Sequence, residues 1–203
     1  MRCRGQCVIG SRNLKKLVLA ALLAATLPAI HGCAAVVVGG AATAAVVADD
    51  RRKTSVVLED QEIELRAVDR LASAFPEKTV SLSTVSFNHN VLVVGQVPDE
   101  ATRARITETI KAIPNVAKIY NESTVSGVTS FTSETNDATI TTKVKARLVD
   151  DGKVSSNHVK VVTEAAVVYL MGLVTREEGE IAGKIAAGTS GATRVVKLFE
   201  YID

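Results

Sequence analysis

The sequence predicts an α+β fold made of two tandem copies of one module. Shifting the chain by 77 residues places "NVLVVGQV" (90–97) on "VVYLMGLV" (167–174), with Gly95 on Gly172. Each copy opens with an apolar stripe at i, i+4 and i+8 and continues in β-branched runs, so helix precedes strand in both. The stripe residues are Ile63, Ala67 and Leu71 in the first copy and Ile140, Val144 and Leu148 in the second.

Residues 1–32 have the pattern of a signal peptide. Five basic and no acidic residues within 1–16 precede the apolar run "LVLAALLAATLPAI" (17–30), which is too short to span a bilayer as a helix. The alternative, a buried N-terminal helix, gives the basic cluster no purpose. Ile30-His31-Gly32-Cys33 resembles a bacterial lipobox, and this resemblance implies cleavage before Cys33 and acylation of Cys33 as the lipid anchor.

Cleavage before Cys33 changes what the composition implies. Cys3 and Cys7 leave with the signal peptide, so the remaining single cysteine allows no intramolecular disulfide and no cysteine metal site. The loss of five basic residues leaves 19 basic against 22 acidic residues, a net charge of −3 instead of +2. Net charge therefore gives no support for nucleic-acid binding, and 3% aromatic residues offer few rings for base stacking.

Residues 33–57 are predicted to be the lipidated cysteine and a flexible tether. The segment "AAVVVGGAATAAVVA" (34–48) is apolar, but it is too short to cross a membrane and its glycines weaken a helix. As a coil, the 24 residues from 34 to 57 would reach roughly 25 to 30 Å.

Each module, 58–127 and 136–203, is predicted in the order αββαβ, with two helices packed on one face of a three-stranded mixed sheet. Asp137 is the predicted N-cap of the first helix of the second module, and the polar linker at 126–136 predicts that the modules lie close together. Gly95 and Gly172 predict a close approach by a helix, or a bulge. The predicted helices are 60–74, 99–112, 138–150 and 176–188, and the predicted strands are 79–87, 90–97, 115–124, 158–164, 167–174 and 192–202.

The glycine-containing strands "VVGQV" and "LMGLV", the module ends "NVAKIYNE" and "ATRVVKLFEYI", and the segment 136–178 resemble the BON domain family. Together with the lipobox and the tether, the resemblance covers essentially the whole chain. It implies a non-catalytic lipoprotein without cofactors on the periplasmic face of the outer membrane. Such a protein would bind anionic phospholipids of the phosphatidylglycerol or cardiolipin type and support envelope integrity. Ala34 and Ala35 resemble the pattern that permits export to the outer membrane, and collection at division sites is a further implication.

The resemblance assigns lipid contact to the first helix of the second module, about 137–150. On this helix Lys143 and Arg147 share a face with Thr139, and Lys145 is a third basic residue. A basic strip beside an apolar stripe suits an anionic membrane surface. The alternative interpretation is the ordinary solvated face of a helix that packs on a core. Family members often carry a large aromatic residue near the start of this helix. This sequence has Ala138-Thr139-Ile140 there, which predicts shallow contact.

A different class of function is also open: an adaptor that binds a protein partner in outer-membrane assembly through a sheet edge or a helix face. No catalytic or metal site is predicted. After removal of His31, His89 and His158 remain in different modules without metal-ligand spacing. The sequence contains neither a serine-nucleophile elbow nor a phosphate-binding glycine pattern.

Overall fold

The computed structural model describes residues 50–75, 79–126 and 132–202. The predicted signal peptide, Cys33 and the tether up to residue 49 lie outside the described residues. The α+β class and the twofold αββαβ order are confirmed. Module 1 contains α1 (Thr54–Ala74), β1 (Ser81–Phe87), β2 (Asn90–Val97), α2 (Glu100–Lys111), β3 (Lys118–Asn121) and β4 (Thr124–Val125), and module 2 contains α3 (Thr132–Asp151), β5 (Val159–Glu164), β6 (Val167–Val174), α4 (Arg176–Ala187) and β7 (Arg194–Tyr201).

Both sheets are mixed. In each module a hairpin pairs the first two strands antiparallel, and the last strand lies parallel to the central strand, β2 or β6. In module 1 the predicted last strand is split into β3 and β4, which both pair with β2. The split has a local cause, because the Asn121 side-chain oxygen accepts hydrogen bonds from the Ser123 amide at 3.2 Å and hydroxyl at 2.6 Å and so turns the chain.

The two modules begin earlier than the sequence predicts. Helix α1 starts at Thr54, so residues 54–57 of the predicted tether are helical. Helix α3 starts at Thr132, and Asp137 lies inside it; the prediction that Asp137 is an N-cap was therefore wrong. The Asp137 carboxylate instead accepts hydrogen bonds from the amides of Ala165 and Ala166, both at 2.8 Å, in the turn between β5 and β6.

A buried carboxylate holds the hairpin turn onto the first helix in both modules. Asp60, the counterpart of Asp137 in the 77-residue shift, is 2% exposed and accepts from the amides of Asn88 and His89 at 2.8 Å and from the Ser86 hydroxyl at 2.7 Å. Each turn contains two consecutive residues in the left-handed backbone conformation. The carboxylate accepts hydrogen bonds from backbone amides that have no partner within the turn. The turn residues are Asn88 (φ 51°), His89 (φ 66°), Ala165 (φ 48°) and Ala166 (φ 61°).

In each module, one buried cluster fills the space between the helices and the sheet. The predicted apolar stripes of α1 and α3 lie at their centres, facing the sheets. A third buried cluster joins the two sheets through the faces that the helices leave uncovered; its members are Phe87, Leu92, Val94, Tyr169, Met171 and Leu198. Successive strand residues point to opposite faces of a sheet. Because helices cover one face of β2 and the other sheet covers its second face, every residue of β2 is buried.

Polar contacts flank this third cluster. Asn88 donates from its side-chain amide to Glu200 at 3.1 and 3.0 Å, and Asn90 donates to the same carboxylate. Gln96 donates to Glu164 at 2.7 Å. Residues 50–75, 79–126 and 132–202 thus belong to one compact unit in which the modules touch directly, as the short linker predicts.

The repeated strand glycines allow close approach, but the approaching group is not a helix. A Cβ at Gly95 would lie 1.9 Å from the Ser81 carbonyl oxygen, and one at Gly172 would lie 2.3 Å from that of His158. Gly95 also has a φ of 125°, which side chains rarely adopt. In both modules the neighbouring edge strand therefore comes too close for any larger residue.

Residues 50–53, which we call the strap, connect the start of module 1 to module 2. Arg51 donates two hydrogen bonds to the Glu178 carboxylate, at 2.6 and 2.8 Å, and one to the Leu173 carbonyl at 3.0 Å. Glu178 also forms the capping box that starts α4, together with the N-cap residue Thr175. The hydrogen bonds from Arg51, followed by those from Thr175, lower the pKa of Glu178 from 4.5 to about 2.

The second strap arginine holds module 1. Arg52 donates to Asp60 at 2.8 Å and to Asp50 at 2.7 Å, and its guanidinium lies over the Phe87 ring, 4.0 Å from the centroid. The strap therefore reaches the buried Asp60 carboxylate, the edge of the cluster between the sheets and the first turn of α4.

The turn between β5 and β6 provides a test of backbone strain. Ala165 is exposed and left-handed, and its counterpart in module 1 is Asn88, a residue that tolerates this conformation. We expect Ala165→Asn to raise the free energy of unfolding by about 0.5 to 1 kcal/mol in a urea titration. The control Ala104→Asn, on the exposed side of α2, should lower it, because asparagine is a poorer helix former than alanine. Equal destabilisation by both substitutions would contradict the assignment of strain to the turn.

The Arg51–Glu178 pair predicts a specific pH dependence. Because folding lowers the Glu178 pKa, the stability from this pair is complete above pH 4.5 and is lost as the pH falls towards about 2. Arg51→Met should therefore lower the melting temperature at neutral pH and flatten its decline between about pH 5 and pH 3. Arg66→Met is the matched control, because its pair with Glu62 is exposed. A decline as steep as that of the unaltered protein would argue against the role of Arg51.

Candidate functional site

The four predicted lipid-contact residues all lie on α3 with exposed side chains: Thr139, Lys143, Lys145 and Arg147. The apolar stripe beside them does not face solvent, since Ile140, Val144 and Leu148 are at most 1% exposed in the core of module 2. The predicted site therefore presents its polar residues, and not its apolar stripe, to a ligand.

The structure divides these four residues between two flanks of the buried stripe. Successive helical residues are about 100° apart, which places Thr139, Lys143 and Arg147 on one flank and Lys145 on the other. We call the first the outer flank. Sequence spacing correctly placed its three residues together, and Lys145 belongs to a different surface.

Arg147 has a structural contact that the sequence did not reveal. Its guanidinium donates to the Ile185 carbonyl and to the Thr189 hydroxyl, both at 3.0 Å, at the C-terminal end of α4. A cation is favourable there because the last carbonyl groups of a helix carry partial negative charge. Arg147 therefore ties α3 to α4, and Lys143 is the cation of the outer flank without such a tie among the described residues.

Lys145 borders a cleft of about 490 Å³ where the strap, β1, α3 and β5 meet; we call it the junction cleft. Its basic residues come from three separate segments: Arg52 from the strap, Lys145 from α3 and Lys160 from β5. None of the described residues that line it is acidic. The uncharged lining residues are Phe87, Thr142, Ala146, Val149, Ser156, Asn157 and Val159.

A larger groove of about 630 Å³ runs between β1 and β5. Each of these strands lies at the edge of its sheet and pairs on one side only among the described strands. Asp137 and Glu164 line the groove together with one cation, Lys160, so its charge does not favour an anion. Its edge strands suit the adaptor hypothesis better, because an extended peptide can add to a free strand edge.

The surface of α1 differs from that of α3. Leu58, Leu65 and Val68 are 61%, 73% and 59% exposed on α1. The 77-residue shift places them on Thr135, Thr142 and Lys145. The two modules share a core pattern but present different chemistry to a partner, apolar on module 1 and polar or basic on module 2.

The two histidines among the described residues lie in different modules, and each contacts a carboxylate. His89 lies 2.6 Å from Glu59, and His158 lies 3.8 Å from Glu178. Within residues 50–75, 79–126 and 132–202, no group of three or more His, Cys, Asp or Glu side chains is arranged to hold a metal ion. Over the same ranges, no helix combines the length and apolar character needed to cross a bilayer.

Comparison with known proteins identifies the modules. The outer membrane lipoprotein DolP of Haemophilus influenzae is 40% identical over 193 residues, 94% of this chain and 97% of that protein. The 21 kDa hemolysin of Actinobacillus pleuropneumoniae is 26% identical over 71% of this chain and 75% of its own length. Among solved structures, the C-terminal domain of CdsD, a structural protein of the type III secretion system of Chlamydia trachomatis, aligns over 68% of this chain and 96% of that chain. Its 9% identity and TM-score of 0.29 are too low to support an inference.

The family comparison agrees with the repeat. The BON domain matches residues 59–127 and residues 136–203, one match in each module. The chain therefore belongs to the BON domain family and contains two BON domains.

Proposed function

We propose that this protein is a non-catalytic lipoprotein of the outer membrane, anchored through Cys33 on the periplasmic face. In this role it binds anionic phospholipids through module 2 and supports envelope integrity. Two observations support the location: the lipobox-like Ile30-His31-Gly32-Cys33 and the 40% identity, over nearly the full length of both chains, to a protein named outer membrane lipoprotein. That relative's name describes a lipoprotein and not an enzyme, which supports a binding role.

The observation that carries lipid binding is the exposed basic outer flank of α3. Lys143 is exposed and forms no ion pair with a described carboxylate, while Thr139 and Arg147 extend the same flank. Each cation near an anionic surface contributes about 1 kcal/mol, so this contact is weak alone. An acylated Cys33 would already hold the protein at the membrane, and the outer flank would then only orient module 2. Lys145 would add to the contact from the opposite flank.

A second candidate function is the adaptor role, and the exposed leucines of α1 favour it. Leu58 and Leu65 offer apolar area that module 2 lacks at the corresponding positions. In this case module 1 would bind a protein of the envelope assembly machinery. The two functions use different modules and can be separated by vesicle binding.

The first test concerns the anchor. We expect mass spectrometry of the protein purified from membranes to find an acylated cysteine, Cys33, as the first residue. Cys33→Ala should leave the precursor uncleaved, because the acyl acceptor is lost. Arg12→Ala is the control, since the basic region keeps four other cations. A mature N-terminus at any other residue would exclude this anchor.

The second test concerns the outer flank and uses a chain of residues 50–203, which contains the strap and all three buried clusters. We expect it to float with phosphatidylglycerol vesicles at low salt and not with phosphatidylcholine vesicles, because the contact is electrostatic. Thr139→Glu with Lys143→Glu should reduce flotation at least tenfold, since it changes the charge of the flank by −3.

The matched control is Ala104→Glu with Lys111→Glu, which makes the same charge change on the exposed side of α2. Equal loss in both variants would mean that net charge, and not the outer flank, controls flotation. No flotation of the unaltered chain would contradict lipid binding and favour the adaptor.

A further inference from the structure

We propose that the junction cleft is a binding site for the headgroup of a single anionic phospholipid, shared by both modules and the strap. The lipid phosphate would lie between Lys145 and Lys160, and its glycerol and first methylene groups would lie on Ala146 and Val149. This inference rests on the proposed function and deepens it, because it assigns a discrete site away from the outer flank of α3.

The charge of the cleft selects an anion. Three cations line it and no described lining residue is acidic. Arg52 is already paired with Asp50 and Asp60, so it supplies little free positive charge. Lys145 and Lys160 are exposed and pair with no described carboxylate, which leaves two ammonium groups available for one phosphate.

The uncharged lining distinguishes a phospholipid from a free phosphate ion. Val149 is 62% exposed at the cleft, whereas the other large apolar residues of α3 are buried in the core. Ala146, also exposed, continues this apolar surface beside the hydroxyl groups of Thr142 and Ser156. A ligand with a charged head, hydrogen-bond acceptors and a short apolar region satisfies all three parts of the lining.

The cleft also lies close in sequence to the proposed anchor. Arg52 lines it, and the chain continues from the strap to Cys33, 19 residues earlier. Even fully extended, that length spans at most about 65 Å, so acylation of Cys33 would confine the cleft to the neighbourhood of lipid headgroups. The β1–β5 groove is less suitable for an anionic headgroup, because no strap residue lines it and two acidic residues do.

A ligand in this position would stabilise the contact between the modules. The lining combines the strap and β1 of module 1 with α3 and β5 of module 2, and all of these must be in place for the cleft to exist. A ligand that binds only the assembled state raises its stability by mass action. Lipid binding should therefore raise the melting temperature of the whole unit.

The test uses residues 50–203 and three soluble probes: dihexanoyl phosphatidylglycerol below its critical micelle concentration, dihexanoyl phosphatidylcholine, and inorganic phosphate. We expect the phosphatidylglycerol probe alone to raise the melting temperature and to shift the amide NMR signals of residues 145–149 and 156–160. Lys145→Gln with Lys160→Gln should weaken its binding at least tenfold. Lys111→Gln with Lys184→Gln, which makes the same change of charge on the exposed sides of α2 and α4, should leave it unchanged.

Three results would overturn the proposal: no binding of the short-chain anionic lipid, binding that Lys145→Gln with Lys160→Gln leaves intact, or equal binding of inorganic phosphate, which would indicate a general anion site. Vesicle flotation separates this inference from the proposed function. Flotation that depends on the outer flank, without binding of soluble lipid, would reject the cleft and keep the membrane role. Binding of soluble lipid without any flotation would keep the cleft and reject membrane contact by the outer flank.

Discussion

The packing of the two sheets on each other is the constraint on which the rest of the structure depends. Helices cover one face of each sheet, and the sheet of the other module covers the second face, so β2 is buried along its whole length. A strand with two buried faces needs a nearly continuous apolar run, as in "VLVV" (91–94), and the buried polar residues Asn90 and Gln96 near its two ends donate hydrogen bonds to Glu200 and Glu164. This packing brings β1, β5, α3 and the strap to one junction, and the junction cleft exists only because the modules meet there.

The repeat conserves internal contacts and varies its surface. Asp60 and Asp137 perform the same task, because each hairpin contains two left-handed residues whose amides need an acceptor. The outer surfaces of the first helices have no such requirement. Leu65 and Val68 of module 1 correspond to Thr142 and Lys145 of module 2. Two modules with one fold can thus serve different partners.

Periodicity and the internal repeat predicted the order of the elements and most of their boundaries, because both signals are local and each copy supports the other. The starts of α1 and α3, each six residues before the predicted start, are the main exceptions. The failures involve contacts between distant parts of the chain. An aspartate before an apolar stripe satisfies the N-cap pattern, yet the amides that use Asp137 come from a turn 28 residues away. Arg147 donates to the carbonyl of Ile185, 38 residues away along the chain, and Arg51 donates to Glu178, 127 residues away. No local pattern contains these pairs.

The strap has a mechanical consequence. Any tension transmitted along the chain from its N-terminal side meets Arg51 before it meets α1, and two parallel hydrogen bonds carry that load to Glu178 at the start of α4. Arg52 carries a second share to Asp60 in module 1. A pull on the strap from its N-terminal side is therefore distributed over both modules at once.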